Sequence, residues 1–142
     1  MAEISLRKAR TIVRKTLEKS REMGLKPMSV VVLDAGGHVK AFEREDGASP
    51  GRFDIAQGKA YGTVMLGMAG TAQMARAESQ HYFMTAANGV YGGKVIPVPG
   101  GVLVRNAKGD VLGAVGVTGD TSDKDAEAAM AGIEAAGLVA EI

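Results

Sequence analysis

The chain has 142 residues, of which 46% are hydrophobic and 23% charged, with a formal net charge of +1; these values are typical of one globular domain spanning residues 1–142. The absence of cysteine excludes a disulfide framework and a thiolate nucleophile, and the near-neutral charge argues against a nucleic-acid partner. No stretch approaches the roughly 18 apolar residues of a membrane span, and charge precedes any apolar leader region, so we expect a cytoplasmic protein without a membrane partner.

The first predicted element is a helix over residues 5–23. Apolar and small positions recur there at helical spacing, and Gly24 and Pro27 end the pattern. Glutamates are interleaved with the basic side chains, and no aromatic residue accompanies them. We therefore interpret the basic positions as a solvated helix face. These positions are Arg7, Lys8, Arg10, Arg14, Lys15, Lys19 and Arg21.

A β-hairpin is predicted next, in "MSVVVLDAGGHVKAFERED". A β-branched run leads to a turn at residues 34–37, and a return strand passes through Val39 and Phe42. The unbroken apolar run over residues 30–33 indicates a strand that is buried on both faces.

A central helix is predicted over residues 53–68. Its Gly58 and Gly62 lie on one stripe, where two backbones could pack closely, and from this stripe we expect a homo-oligomer, a dimer or higher. A short helix through "TAQMARAE" follows, and then a loop to about residue 98.

The last part of the chain predicts a second hairpin and a closing helix. "GVLVRN" and "DVLGAVGVTG" form the hairpin, joined at residues 107–109, and residues 121–142 form the helix, with Ser122 and Asp125 as a capping box. The fold class is therefore α+β, with an antiparallel sheet from two hairpins packed by N-terminal, central and C-terminal helices.

Charged side chains bracket a turn that enters the central helix in "FEREDGASPGRFDIAQGK". Because helix N-termini bind anions, Arg44, Asp46, Arg52 and Lys59 are candidates for holding a carboxylate-bearing ligand. The alternative is that Asp46 and Lys59 form a structural ion pair or a cap. We interpret His38, at a hairpin turn, as a solvated residue, and the spacing of His81 to other ligand types matches no metal motif.

The order of several motifs resembles the GlcG/HbpS family, also called the haem-degrading domain family, which includes the C-terminal domain of PduO-type corrinoid adenosyltransferases. The stretches are "VVVLDAGGHVKAFEREDGA", "DIAQGKAYGT", "GGKVIPVPGGVLVRNAKGDVLGAVGVTG" and "DKDAEAAMAGIEA". The resemblance implies a profilin-like α+β fold, oligomers, and the binding of haem or related tetrapyrroles, with sensing or degradation. The residues on the family's pattern are Asp34, Gly37, Arg44, Asp46, Gly47, Ala48, Lys59, Ala60, Pro99, Gly100, Gly101, Gly109, Gly113, Gly116, Val117, Gly119 and Asp125.

The resemblance also implies a ligand-binding site, with haem as the first candidate cofactor. The expected ligand-binding residues are Arg44, Asp46, Lys59, Pro99, Gly100 and Gly101. The candidate ligands of a haem iron are His38, His81, Tyr61, Tyr91 and Met65. Because glycine has no side chain, we expect Gly113 and Gly116 to let a helix pack closely against one face of the sheet. In the first alternative, the protein is an enzyme acting on a small hydroxy acid, aldehyde or aromatic acid, with Lys59 and Asp46 either as its acid and base or as the residues that hold a carboxylate. In the second, it is a non-catalytic accessory subunit.

Overall fold

The computed structural model describes residues 3–142, which form five helices around one antiparallel sheet of five strands in the order β2-β1-β4-β3-β5. This arrangement confirms the predicted α+β class. The elements in chain order are α1 (Leu6–Glu22), β1 (Ser29–Asp34), β2 (Val39–Arg44), α2 (Arg52–Leu66), α3 (Gly70–Ser79), α4 (His81–Val90), β3 (Gly101–Arg105), β4 (Val111–Thr118), α5 (Ser122–Ala135) and β5 (Val139–Glu141).

The sheet separates two hydrophobic cores. Val30 and Val32 of β1 point to the face that α1 and α5 cover, whereas Val31 and Leu33 point to the face that α2 covers. All four side chains are fully buried, which confirms the predicted burial of β1 on both faces. The two cores give a three-layer molecule in which α1 and α2 lie on opposite sides of the sheet.

Glycines bring α2 close to the sheet. A Cβ atom added at Gly116 of β4 would overlap the carbonyl oxygen of Ala56, and one at Gly101 of β3 would overlap that of Lys59. The expectation for Gly116 is therefore confirmed. The expectation for Gly113 is wrong, because its added Cβ would meet the backbone of Leu33 on the neighbouring strand.

Two elements differ from the sequence-based expectation. Residues 81–90, predicted as loop, form α4, which packs against α3 and buries Met84 and Ala87. The closing helix ends near Ala135, where Gly137 has a φ of +77° and the N–H of Leu138 bonds back to the carbonyl of Ile133. The chain then returns as β5 beside β3.

The glycine stripe of α2 packs against other residues of the same chain. Gly58 lies against Ile96, and Gly62 lies against Val95 and Gln73. Because these contacts occupy the stripe, the homo-oligomer stays a prediction that depends on the family resemblance. None of the helices within residues 3–142 is long and apolar enough to cross a bilayer.

Candidate functional site

The most enclosed charged group of the candidate site is Lys59, on α2. Its Nζ atom donates hydrogen bonds to the Asp125 carboxylate at 3.1 Å and to the Val117 carbonyl at 3.0 Å. The side chains of Lys59 and Asp125 are only 3% and 1% exposed. The pair therefore joins α2, β4 and α5 in the interior of the molecule.

Asp125 does more than pair with the lysine. Its second carboxylate oxygen accepts a hydrogen bond from the N–H of Asp120 at 3.0 Å, so it closes the connection between β4 and α5. The predicted capping box is wrong, because α5 begins after Thr121 without a side-chain cap. Asp125 is thus the residue that sequence reasoning missed in this role, although both the capping-box spacing and its match to the family pattern had singled it out.

Burial acts on both members of the pair. Removal from water lowers the pKa of Lys59, against the attraction of Asp125, and the same removal raises the pKa of Asp125, against the attraction of Lys59. The guanidinium of Arg52, which donates to the Thr118 hydroxyl at 2.9 Å, lowers the pKa of Lys59 further. A single charge is therefore energetically unfavourable at this buried position, and each ion is stabilised by the opposite charge of the other.

The turn at Pro99 fits around the same lysine. Gly100 has a φ of +111°, and a Cβ atom there would lie 2.8 Å from the Lys59 Nζ atom. The Gly100 carbonyl accepts a hydrogen bond from the N–H of Val117 at 2.9 Å. Pro99, Gly100 and Gly101 are all buried. The structure therefore brings Lys59 and this turn together, as the sequence predicted, but both are buried.

Arg44 and Asp46 lie elsewhere, at the end of β2 and in the turn that follows it. Arg44 donates to the Ala48 carbonyl at 2.7 Å, which shapes the turn after β2. With Leu17 and Arg21 of α1, Arg44 and Asp46 line an open groove of about 370 Å³. The predicted partnership of Asp46 and Lys59 is replaced in the structure by the pair of Lys59 and Asp125.

A larger groove of about 790 Å³ adjoins this one along α1. We call the two together the α1–β2 groove, because Leu17, Arg21 and Glu43 line both. The larger part is lined by Leu6, Arg7, Arg10, Thr11, Arg14, Leu17, Glu18, Arg21 and Glu43. The basic positions that the sequence analysis assigned to a solvated face therefore include the wall of a groove.

Four of the five candidate iron ligands gather at the β1–β2 turn. A Cβ atom at Gly37 would lie 2.8 Å from the Met65 methyl and 3.3 Å from the Tyr61 ring. The rings of Tyr61 and Tyr91 stack edge to face with centroids 6.2 Å apart. His38 is exposed in the same turn, where its backbone N–H donates to the Asp34 carboxylate at 2.9 Å.

The fifth candidate, His81, begins α4 and lies apart from the other four. It is exposed beside a groove of about 250 Å³ that Met84, Val95 and Pro97 also line. Within residues 3–142, no three histidine or carboxylate side chains converge on a point that could hold a metal ion.

These features define a small α+β protein with a closed ion pair between α2 and α5 and an open basic groove along α1. The chain belongs to the family described as "Haem degrading protein HbpS-like", whose model matches residues 4–134. The family resemblance seen in the sequence is thereby confirmed.

Solved structures share the fold. A PduOC:haem complex is 21% identical, with a TM-score of 0.84 and 96% of each chain covered. A double mutant of Streptomyces reticuli HbpS is 27% identical, with a TM-score of 0.79, covering 94% of this chain and 87% of that one. Klebsiella pneumoniae protein ORFY is 24% identical, with a TM-score of 0.81, covering 94% and 90%. Comparison with curated proteins gave no significant sequence match.

Proposed function

We propose that this protein binds haem or a related tetrapyrrole as its small-molecule ligand. Membership of a family described as haem-degrading supports this ligand class. The PduOC:haem complex adds that a chain of the same fold takes up haem. Assembly into a homo-oligomer and a cytoplasmic location belong to the same proposal and stem from the sequence.

The observation that carries the proposal is the α1–β2 groove. A tetrapyrrole such as haem is a flat apolar ring with carboxylate side chains, so it needs apolar surface next to cations. The larger part of the groove, about 790 Å³, offers the exposed Leu6 beside Arg7, Arg10 and Arg14, and its size is in the range of about 300–1,000 Å³ that small-molecule sites occupy. Arginine is well suited to carboxylates because its guanidinium can donate two parallel hydrogen bonds.

The geometry favours binding over acid and base catalysis at Lys59. An acid or base must reach the proton that it transfers, whereas Lys59 is 3% exposed and donates to two partners inside the molecule. Asp46, the other candidate, lines the α1–β2 groove instead. An accessory role without catalysis is compatible with this arrangement.

Titration with ferric haem tests the proposal. We expect a saturable shift of the Soret band at one haem per chain, with sedimentation of the loaded protein reporting whether it assembles. A spectrum that matches haem mixed with a non-binding control protein would contradict haem binding. A single 14.7 kDa species at micromolar concentration would contradict the homo-oligomer.

A further inference from the structure

The lining of the α1–β2 groove contains cations but none of the side chains that usually ligate a haem iron. Its described residues include five arginines and no histidine, tyrosine or methionine. Tyr61 and Met65 lie on α2, on the other side of the sheet. A ligand in this groove would therefore meet guanidinium groups rather than a donor to iron.

Three of the arginines are available to a ligand. Arg21 pairs with Glu45, but Arg7, Arg10 and Arg14 form no ion pair within residues 3–142. Their spacing of three and four residues places them along one helix face. At 1.5 Å per residue, Arg7 and Arg14 are separated by about 10 Å along the axis.

Apolar surface accompanies these cations. Leu6 is 44% exposed, although it is a large hydrophobic side chain, whereas Leu17, at the other end of the same row, is only 7% exposed. Such exposed leucine next to unpaired arginine suits an amphiphilic anion better than a simple phosphate, which has no apolar part.

We propose that the α1–β2 groove holds the tetrapyrrole by its carboxylates, through Arg7, Arg10 and Arg14, and that iron contributes little to the affinity. This inference rests on the proposed function for the identity of the ligand. Its distinctive consequence is that iron-free protoporphyrin IX, which carries the same two carboxylates, binds about as tightly as ferric haem.

The experiment compares the two ligands on three forms of the full chain, with binding followed by porphyrin fluorescence or Soret absorbance. The groove variant is Arg10→Gln with Arg14→Gln. The matched control is Lys108→Gln with Lys124→Gln, which removes the same charge at two exposed positions outside the groove. Circular dichroism establishes that all three forms are folded.

We expect the wild type and the control to bind both ligands with Kd values within about threefold of each other. The groove variant should bind both at least about tenfold more weakly, because each lost guanidinium removes a charge-assisted pair of hydrogen bonds. An Arg10→Lys and Arg14→Lys variant should recover part of the loss, since it restores the charge without the bidentate geometry.

Each contrary result has its own meaning. If the wild type binds neither ligand, the proposed function fails. If it binds both and the groove variant binds them equally well, the groove assignment fails while the function stands. If it binds ferric haem alone, iron ligation carries the affinity and the carboxylate mechanism is overturned; Tyr61→Phe, Tyr91→Phe, Met65→Leu, His38→Gln and His81→Gln would then locate the ligand.

Discussion

Two groups of charged residues in this molecule have opposite surroundings. Lys59 and Asp125 are enclosed, and each is hydrogen-bonded to the other and to backbone groups. The arginines of the α1–β2 groove face an open space, and three of them have no ion-pair partner within residues 3–142. The first group joins α2, β4 and α5 through its hydrogen bonds, and in our proposal the second group binds a ligand.

The difference follows from the cost of burying charge. A buried ion without its partner is strongly destabilising, so a closed pair is sensitive to the loss of either member. An exposed ion contributes under about 1 kcal/mol to folding and can be exchanged for an uncharged residue at little cost. Substitutions should therefore affect the free energy of unfolding at one site and ligand affinity at the other.

The largest effect is expected for Asp125→Ala. This change leaves the ammonium of Lys59 buried without a counterion and the N–H of Asp120 without its acceptor. We expect a loss of about 3–5 kcal/mol in the free energy of unfolding, measured by urea denaturation. Lys59→Met combined with Asp125→Asn is the matched control, because it removes both charges and keeps an acceptor for Asp120. A loss below 1 kcal/mol in Asp125→Ala would show that the pair is not stabilising.

The next largest effect should come from Gly116→Ala. The new methyl would overlap the carbonyl of Ala56 and force α2 away from the sheet beside Lys59. We expect a loss of at least about 1–3 kcal/mol. Gly89→Ala in α4 is the control, because its methyl meets no atom within 4 Å; alanine there should be neutral or stabilising by up to about 1 kcal/mol. Equal melting temperatures for the two variants would contradict the close packing of α2.

A smaller effect is expected in the pH dependence of stability. The raised pKa of Asp125 means that the native state holds more protons than the unfolded state just above the usual value of 3.8, so this group makes stability fall as the pH rises there. The lowered pKa of Lys59 means that the unfolded state holds more protons just below 10.5, so this group makes stability rise with pH in that range.

The comparison of wild type with Lys59→Met, Asp125→Asn isolates both contributions. Urea denaturation across the two pH ranges should give a difference in unfolding free energy that changes in these two directions. A difference that is constant with pH would mean that the native pKa values of the pair are the same as those of the unfolded chain.

The smallest expected effect is the response of the groove to salt. Because the arginines are open to water, their attraction for carboxylates is screened at high ionic strength, whereas the buried pair is screened much less. Raising NaCl from about 0.1 M to about 1 M shortens the Debye length from about 10 Å to about 3 Å. Protoporphyrin affinity should fall several-fold while the melting temperature stays nearly constant. An affinity that does not respond to salt would argue for apolar contacts alone.

Much of the fold was predictable because its signals are local. The helical spacing before Gly24 predicted α1, with Ser5 as the observed cap, and alternating turns and apolar runs predicted both hairpins. The sequence did not predict β5, because its three residues become a strand only by pairing with β3. It did not predict α4 either, since that segment lacks a side-chain cap and is stabilised by packing against α3.

The two halves of the candidate site were predictable to different degrees. Lys59 and the turn at Gly100 were found together, but the lysine's partner, Asp125, lies 66 positions away in sequence and was interpreted as a cap. The arginines were recognised but assigned to solvent, because the groove exists only when β2 places Glu43 opposite α1. Both the partner of Lys59 and the groove beside α1 depend on contacts between residues that are far apart in the sequence.

The most direct test of the account is the haem affinity of the folded Lys59→Met, Asp125→Asn variant. If the buried pair serves the fold and the α1–β2 groove serves the ligand, this variant should bind ferric haem with a Kd within about twofold of the wild type, a change of under about 0.5 kcal/mol. Circular dichroism on the same samples establishes that the variant is folded. A folded variant that has lost about tenfold or more in affinity would place the ligand at Lys59 and contradict the assignment of the buried pair to the fold and of the α1–β2 groove to the ligand.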